Sequence, residues 1–281
     1  MTPRREDLKT GRKGSQSPSL PVITLLTDFG TADYFVGAVK GAILSVNTRV
    51  VIADITHEIP PQDIETGAFT LLAVYKTFPS GTIHVAVIDP GVGSSRRPIV
   101  VSANGQFFVG PDNGLFTYIY DRESSPQVFH VMNENYFRTS PSTTFHGRDI
   151  FAPVAAALST GVNPEDLGPE IDDAVRLPGS FAPIVQKNGN LQARIIHIDH
   201  FGNCITNITR EVLKSEKSAS LLVNGKTIRD FRSFYGEDLN KSLFAIWGSA
   251  GFLEIAINGQ SAAHRLSAKR GDIVILSRRI W

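Results

Sequence analysis

Residues 22–55 read VITLLTDFGTADYFVGAVKGAILSVNTRVVIADI, and the order of patterns in this stretch sets the fold class. Val22–Thr27 is a short, mostly apolar run that ends at Asp28, as a buried strand does. From Tyr34 to Val46 the apolar residues Phe35, Val39, Ala42, Ile43 and Val46 recur at helical spacing, which predicts a helix. Val50–Ile55 is a second strand. Gln62–Thr77 is again helical in pattern, with Pro79-Ser80-Gly81 punctuating its end, and Ile83–Ile88 is a third strand. This β-α-β-α-β order predicts an α/β N-terminal domain with a mainly parallel sheet.

Beyond it, Ile99–Val109 and the turn Pro111-Asp112-Asn113-Gly114 predict a hairpin-like excursion. Asp149–Leu158 is an alanine-rich helix. Gly168–Pro183, rich in Pro, Gly and Asp, is the expected linker. The texture then changes. Leu191–Ile198, Ser220–Val223, Leu243–Ile246, Phe252–Ile257 and Asp272–Leu276 are short β-rich segments with no long helical pattern between them. They predict a smaller all-β, barrel-like C-terminal domain. The expected division is a disordered basic tail at 1–20, an α/β domain at 21–178 and a β domain at 179–281.

Composition narrows the function. Of 281 residues, 42% are hydrophobic and 20% charged, as in a globular protein. A formal net charge of +1 gives no reason to expect nucleic acid or an acidic membrane as partner. The single cysteine, Cys204, excludes an internal disulfide and a multi-Cys zinc site. No run reaches the roughly 18 apolar residues of a membrane span. The tail carries Arg4, Arg5, Lys9, Arg12 and Lys13 without an apolar stretch, so it is not a secretory signal, and a cytoplasmic location is the expectation.

Three polar motifs interrupt the apolar segments: Thr27-Asp28-Phe29-Gly30, Asp89-Pro90-Gly91-Val92-Gly93-Ser94-Ser95-Arg96, and Thr144-Phe145-His146-Gly147-Arg148-Asp149. The first two lie at predicted strand ends, where α/β folds bind ligands, and the third precedes a helix. Asp28-Phe29-Gly30 occurs in kinases, but the other kinase signatures are absent. Asp28 is placed either to accept hydrogen bonds from a ribose diol or to cap the next helix. Gly91-Val92-Gly93 lacks the third glycine of a dinucleotide fingerprint and serves a tight turn better. Asp89 and Arg96 alone would be a structural salt bridge; His146 adds a group that titrates near neutrality. His197, Asp199 and His200 are close in sequence, but strand alternation turns His200 away from the other two, so no metal site is expected. His57 and His84 fall at strand edges and receive no role. The turn Asp199-His200-Phe201-Gly202-Asn203 offers groups to read a heterocycle's edge and a ring to stack on it, or is an ordinary polar turn.

Taken together, TDFG, DITHEIPPQDIETGA, DPGVGSSR, PDNGL, TFHGRDIF, FGNCITNI and GSAGFLEIA occur in the order found in the S-adenosylmethionine hydroxide adenosyltransferases. The chain resembles this family, which is related to the fluorinating and chlorinating enzymes, from about Val22 to about Ile280. The resemblance implies hydrolysis of S-adenosyl-L-methionine to adenosine and L-methionine by water or hydroxide at C5′, without a cofactor. It implies a homotrimer whose sites lie between the N-terminal domain of one subunit and the C-terminal domain of the next. The family's catalytic Asp-Arg-His set falls on Asp89, Arg96 and His146. Its substrate contacts fall on Asp28 for the ribose, Asp199 and Ser249 for the amino-acid end, and Asn203 for adenine. Phe201 and Phe234 are packing aromatics, with Tyr235 as the other ring able to face the adenine. Halogenating relatives typically have Tyr in place of both Asp89 and His146, and the fluorinating ones Ser in place of Gly147 and a long insertion after the Arg motif. Some carry Arg in place of Ala250. The alternatives are a chloride-using halogenase, a non-catalytic sensor of S-adenosylmethionine or adenosine, and a metal-dependent hydrolase built on His197 and His200.

Overall fold

The computed structural model describes residues 19–179, 181–213 and 219–278. Residues 1–18, most of the predicted tail, lie outside them. The N-terminal part runs β1 (Val22–Thr27), α1 (Phe35–Val46), β2 (Val51–Thr56), α2 (Ile64–Val74), β3 (Ile83–Val87), β4 (Pro98–Ala103), β5 (Gln106–Pro111), α3 (Thr117–Arg122), β6 (Gln127–His130), α4 (Ala152–Leu158), α5 (Pro164–Leu167) and β7 (Glu170–Ile171). Its strands form one sheet in the order β2-β1-β3-β5-β4-β6-β7.

The sheet is mixed, which corrects the mainly parallel expectation. The β2-β1, β1-β3 and β3-β5 pairings are parallel; β5-β4, β4-β6 and β6-β7 are antiparallel. The reversal comes from Asn104-Gly105, which joins β4 to β5 with φ of 53° and 68°. Both central residues in the left-handed region suit the tight hairpin, and Asn-Gly is the pair that adopts it most readily. The predicted linker is partly structural too, because Glu170 and Ile171 pair with Phe129 and Val128.

Strand β1 is buried on both faces, as its unbroken apolar run predicts. Ile23 and Leu25 pack with Val39, Ile43 and Ala155 on the α1/α4 side. Leu26 joins the opposite cluster around Phe69, Leu71 and Phe108.

The second part contains β8 (Ile184–Val185), β9 (Leu191–Ile198), β10 (Cys204–Thr209), β11 (Ala219–Val223), β12 (Lys226–Ile228), β13 (Phe231–Arg232), β14 (Phe244–Trp247), β15 (Phe252–Ala256), α6 (Ala262–Leu266) and β16 (Ile273–Arg278). These strands form a second sheet, β12-β11-β16-β9-β10-β15-β14-β13, with β8 also on β9. The sheet curls around a core that includes Ile195, Leu221, Leu253 and Leu276. Among the described residues β12 and β13 do not pair, so it is a half-barrel rather than a closed barrel. No described helix is long and apolar enough to cross a membrane.

The two parts share a core and charged contacts. Ile196, Ile205 and Phe252 belong to the same cluster as Phe69 and Tyr118. The His197 ring stacks on Phe69 at 4.8 Å. Arg194 Nη1 donates to Glu65 Oε1 at 2.6 Å, and Arg270 Nη1 to Asp63 Oδ2 at 2.5 Å.

The chain between the sheets is anchored by Asp112, at the end of β5. Its Oδ2 accepts from Arg97 Nε at 2.9 Å, and its Oδ1 from the Val175 N–H at 2.8 Å. Asp112 is 4% exposed, so its loss would leave these donors unpaired in a dry place. Asp112→Ala is expected to lower unfolding free energy by about 1–3 kcal/mol in urea titration; an unchanged midpoint would mean the anchor is dispensable.

Candidate active site

Parallel pairing of β1 with β3 places Thr27 beside Val87 in register. The residues that follow the two strands, Asp28 and Asp89, therefore emerge at the same sheet edge. They line a cavity of about 430 Å³ together with His146, Gln62 and the rings of Phe29, Phe35 and Phe145.

Asp28 does not cap the next helix. Helix α1 begins after Tyr34 with no side-chain cap. Asp28 Oδ2 instead accepts the backbone N–H of Gln62 at 2.8 Å, and Gln62 has φ of 66°. That bond ties the loop after β2 to the end of β1 and fixes one carboxylate oxygen in the cavity wall.

The Asp89–Arg96 loop is compact. Val92 N donates to Asp89 O at 3.2 Å and Ser94 N to Gly91 O at 3.1 Å. Gly93 sits at φ of 77°, and a Cβ there would lie 2.2 Å from the Thr143 carbonyl. Glycine is thus required for this loop to pack against the segment that carries His146.

Arg96 Nε donates to Asp89 Oδ1 at 2.9 Å, and its Nη2 also bonds Asp89 Oδ2. The same Nη2 contacts His146 Nδ1 at 2.7 Å. The Asp89 and Arg96 side chains are 5% and 8% exposed, and Arg96 lies over the Phe151 ring with its central carbon 5.2 Å from the centroid. Arg96 Nη1 is buried with no hydrogen-bond partner among the described residues.

This geometry fixes the histidine's tautomer. Arginine only donates hydrogen bonds, so His146 Nδ1 must accept and the neutral ring carries its proton on Nε2. Burial, then the Arg96 charge, hold His146 below the ordinary histidine pKa; Asp89 and Asp149 oppose them. His146 itself starts a turn of π-helix, Gly147–Phe151, that leads into α4. The predicted helix at 149–158 is therefore two conformations in sequence. Asp149, 2% exposed, accepts from Ser142 N and Arg148 Nε and secures the preceding loop.

The other predicted residues lie elsewhere. Asp199, Phe201, Asn203 and Ser249 line a second cavity of about 740 Å³ on the half-barrel. Asp199 organises its own turn: Oδ1 accepts from Phe201 N and Asn203 N, and Oδ2 from Asn203 Nδ2, at 2.8–2.9 Å. Of the two candidate rings, Tyr235 lines this cavity, while the exposed Phe234 does not. Sequence reading missed Glu254, also in the wall, whose only signal is a lone acid in the run Phe252–Ala256. It also missed Gln62, since nothing in its type announces the left-handed backbone. Among the described residues no group of three His, Cys, Asp or Glu is placed to hold a metal ion.

Comparison with known proteins accounts for both halves. The family models for the SAM hydroxide adenosyltransferase N-terminal and C-terminal domains match residues 23–168 and 193–275. A Methanocaldococcus jannaschii protein named (R)-S-adenosyl-L-methionine hydrolase is 40% identical over 250 residues, covering 84% of this chain and 88% of that one. A fluorinase from Actinopolyspora mzabensis is 28% identical over 300 residues, covering 94% and 99%. A crystal structure of an uncharacterized conserved protein from Thermotoga maritima superposes with a TM-score of 0.84 at 34% identity, covering 91% of this chain and all of that one.

The tautomer is open to measurement. ¹⁵N NMR of His146 should show Nε2–H at neutral pH and a midpoint below that of an ordinary histidine. Arg96→Gln removes the neighbouring cation and frees Asp89, so the midpoint should rise. An Nδ1–H signal in the unaltered protein would contradict the arrangement.

Proposed function

The chain belongs to the SAM hydroxide adenosyltransferase family, and we propose that it hydrolyses S-adenosyl-L-methionine to adenosine and L-methionine. The observation that carries this reading is one cavity lined by the Asp28 carboxylate together with Asp89 and His146, which the buried Arg96 links from behind. Water attacks C5′ of the adenosyl group, the C5′–S bond breaks, its electron pair leaves on sulfur as the neutral thioether of methionine, and one proton is released. Because the leaving group is already a sulfonium, the step needs no metal or redox cofactor.

The residues divide the work as follows. Asp28 receives the ribose hydroxyls. Arg96 stabilises the hydroxide character that develops on water, through a guanidinium held between Asp89 and His146. His146, with its proton on Nε2, donates to the water oxygen and fixes its direction. Asp89 holds the Arg96 guanidinium through both carboxylate oxygens. As the water gains hydroxide character its attack on the cationic sulfonium centre cancels charge, so the apolar wall of Phe29, Phe35 and Phe145 favours it by keeping bulk water scarce. Alignment in line with the C5′–S bond supplies up to about 7–11 kcal/mol in the best intramolecular cases.

Asp28, Asp89 and His146 line one cavity, while Asp199, Asn203 and Ser249 line another. This separation supports a site completed between subunits, with a homotrimer as the assembly. A cytoplasmic location fits the substrate, an intracellular metabolite.

Purified protein incubated with S-adenosylmethionine in H₂¹⁸O is expected to give ¹⁸O-labelled adenosine with or without chloride, by mass spectrometry. A 5′-chloro nucleoside formed only with chloride would place the protein with the halogenating enzymes. Asp89→Ala and His146→Ala should each lower kcat by about 100-fold or more with little change in KM, whereas Asp28→Ala should mainly raise KM. Sedimentation should show three copies per particle.

A further inference from the structure

His57 is a buried imidazole outside the proposed chemistry, and it touches the loop that carries Asp28. It follows β2, is 5% exposed, and has its Nδ1 2.8 Å from Thr27 Oγ1. Thr27 is itself buried, and its Oγ1 accepts the Phe29 N–H at 3.3 Å, which fixes the chain across Asp28. The His57 carbonyl accepts the Gly30 N–H at 2.8 Å. One residue therefore holds the loop on both sides of Asp28, while Asp28 Oδ2 is tied to the Gln62 N–H further along the same segment.

A register shift aims the ring. Leu25 pairs with Asp54 and Leu26 with Thr56, which leaves Ile55 as an extra residue in β2. In an unbroken strand residues three apart point to opposite faces; the extra residue turns His57 to the side of Asp54. His57 Nε2 lies 3.2 Å from Asp54 Oδ1, a charge contact too poorly aligned for a full hydrogen bond, and Asp54 Oδ2 accepts from Lys40 Nζ on α1 at 2.7 Å. Burial raises the Asp54 carboxyl, but the contacts from Lys40 and His57 outweigh it and hold it below its ordinary pKa. An ionised carboxylate only accepts, so the neutral ring keeps its proton on Nε2. Nδ1 then accepts the Thr27 hydroxyl, whose oxygen keeps its lone pair for the Phe29 N–H.

We propose that His57 is a positioning residue for the reaction: backed by Asp54, it holds Thr27 and Gly30 so that the Asp28 carboxylate stays where the ribose hydroxyls arrive. This assignment rests on the hydrolase reading. His57 does not line the cavity, so it acts only through Asp28. Without it the carboxylate drifts, and the loss falls on substrate affinity, because Asp28 meets the ribose rather than the reacting atoms.

Substitution separates the two ring nitrogens. Asparagine puts an amide oxygen near the place of Nδ1 and still accepts from Thr27; glutamine puts its amide near Nε2 and does not. His57→Gln is expected to raise KM for S-adenosylmethionine about 10-fold with little change in kcat, and His57→Asn to stay within about 3-fold of the unaltered protein. In an Asp28→Ala background His57→Gln should add little, because the carboxylate it positions is gone. Should His57→Gln not fold, Asp54→Asn makes the same test from the other side of the ring, with a rise in KM of about 3-fold that also vanishes beside Asp28→Ala. An unchanged KM, or an equal rise with and without Asp28, would overturn the assignment, the second by making His57 a residue of the fold alone. Unaltered protein that neither binds nor cleaves S-adenosylmethionine would instead defeat the hydrolase reading itself.

Discussion

One buried guanidinium organises the N-terminal half of the site. Arg96 reaches a carboxylate that ends β3 and an imidazole that opens the π-turn before α4. Both partners are required for it to remain buried, since an unpaired charge in that position would be costly. The rest of the local structure serves this contact. Gly93 lets the loop approach Thr143, Phe151 supports the guanidinium from below, and Asp149 anchors the strand of chain that delivers His146. The same contact sets the histidine's chemistry, because a donor-only neighbour leaves a single neutral tautomer.

The sequence made part of this legible. Strand β1, helix α1 and strand β2 follow directly from apolar periodicity, and the three polar motifs mark the loops that meet at the sheet edge. The mixed character of the sheet was hidden because β6 and β7 have four and two residues, too few for a pattern. The Asn104-Gly105 pair was the available signal for the reversal. The π-turn was not readable, since Gly147–Phe151 differs from an α-helix only in which carbonyl each N–H reaches. Glu254 carries no sequence signal beyond being a lone acid in an apolar strand, and its carboxyl sits where a side chain at residue 248 would otherwise be.

The two cavities differ in chemistry as well as in place. The first combines aromatic walls with two carboxylates and an imidazole, and suits bond breaking under scarce water. The second offers acids, an amide and a hydroxyl, and suits recognition of a polar ligand. Dividing these tasks between a sheet edge and a half-barrel lets each wall be supported by its own core.

The core shared between the parts, through Ile196, Ile205 and Phe252 packed with Phe69, holds one cavity at a set angle to the other. If the halves meet between copies, each molecule has a face that gives and a different face that receives. Such head-to-tail contacts close into a ring only when each step turns by a whole fraction of a circle, and otherwise wind into an open helix. The apolar packing between the parts then works as a protractor: it sets how many copies complete the circle, far from any residue that touches the ligand.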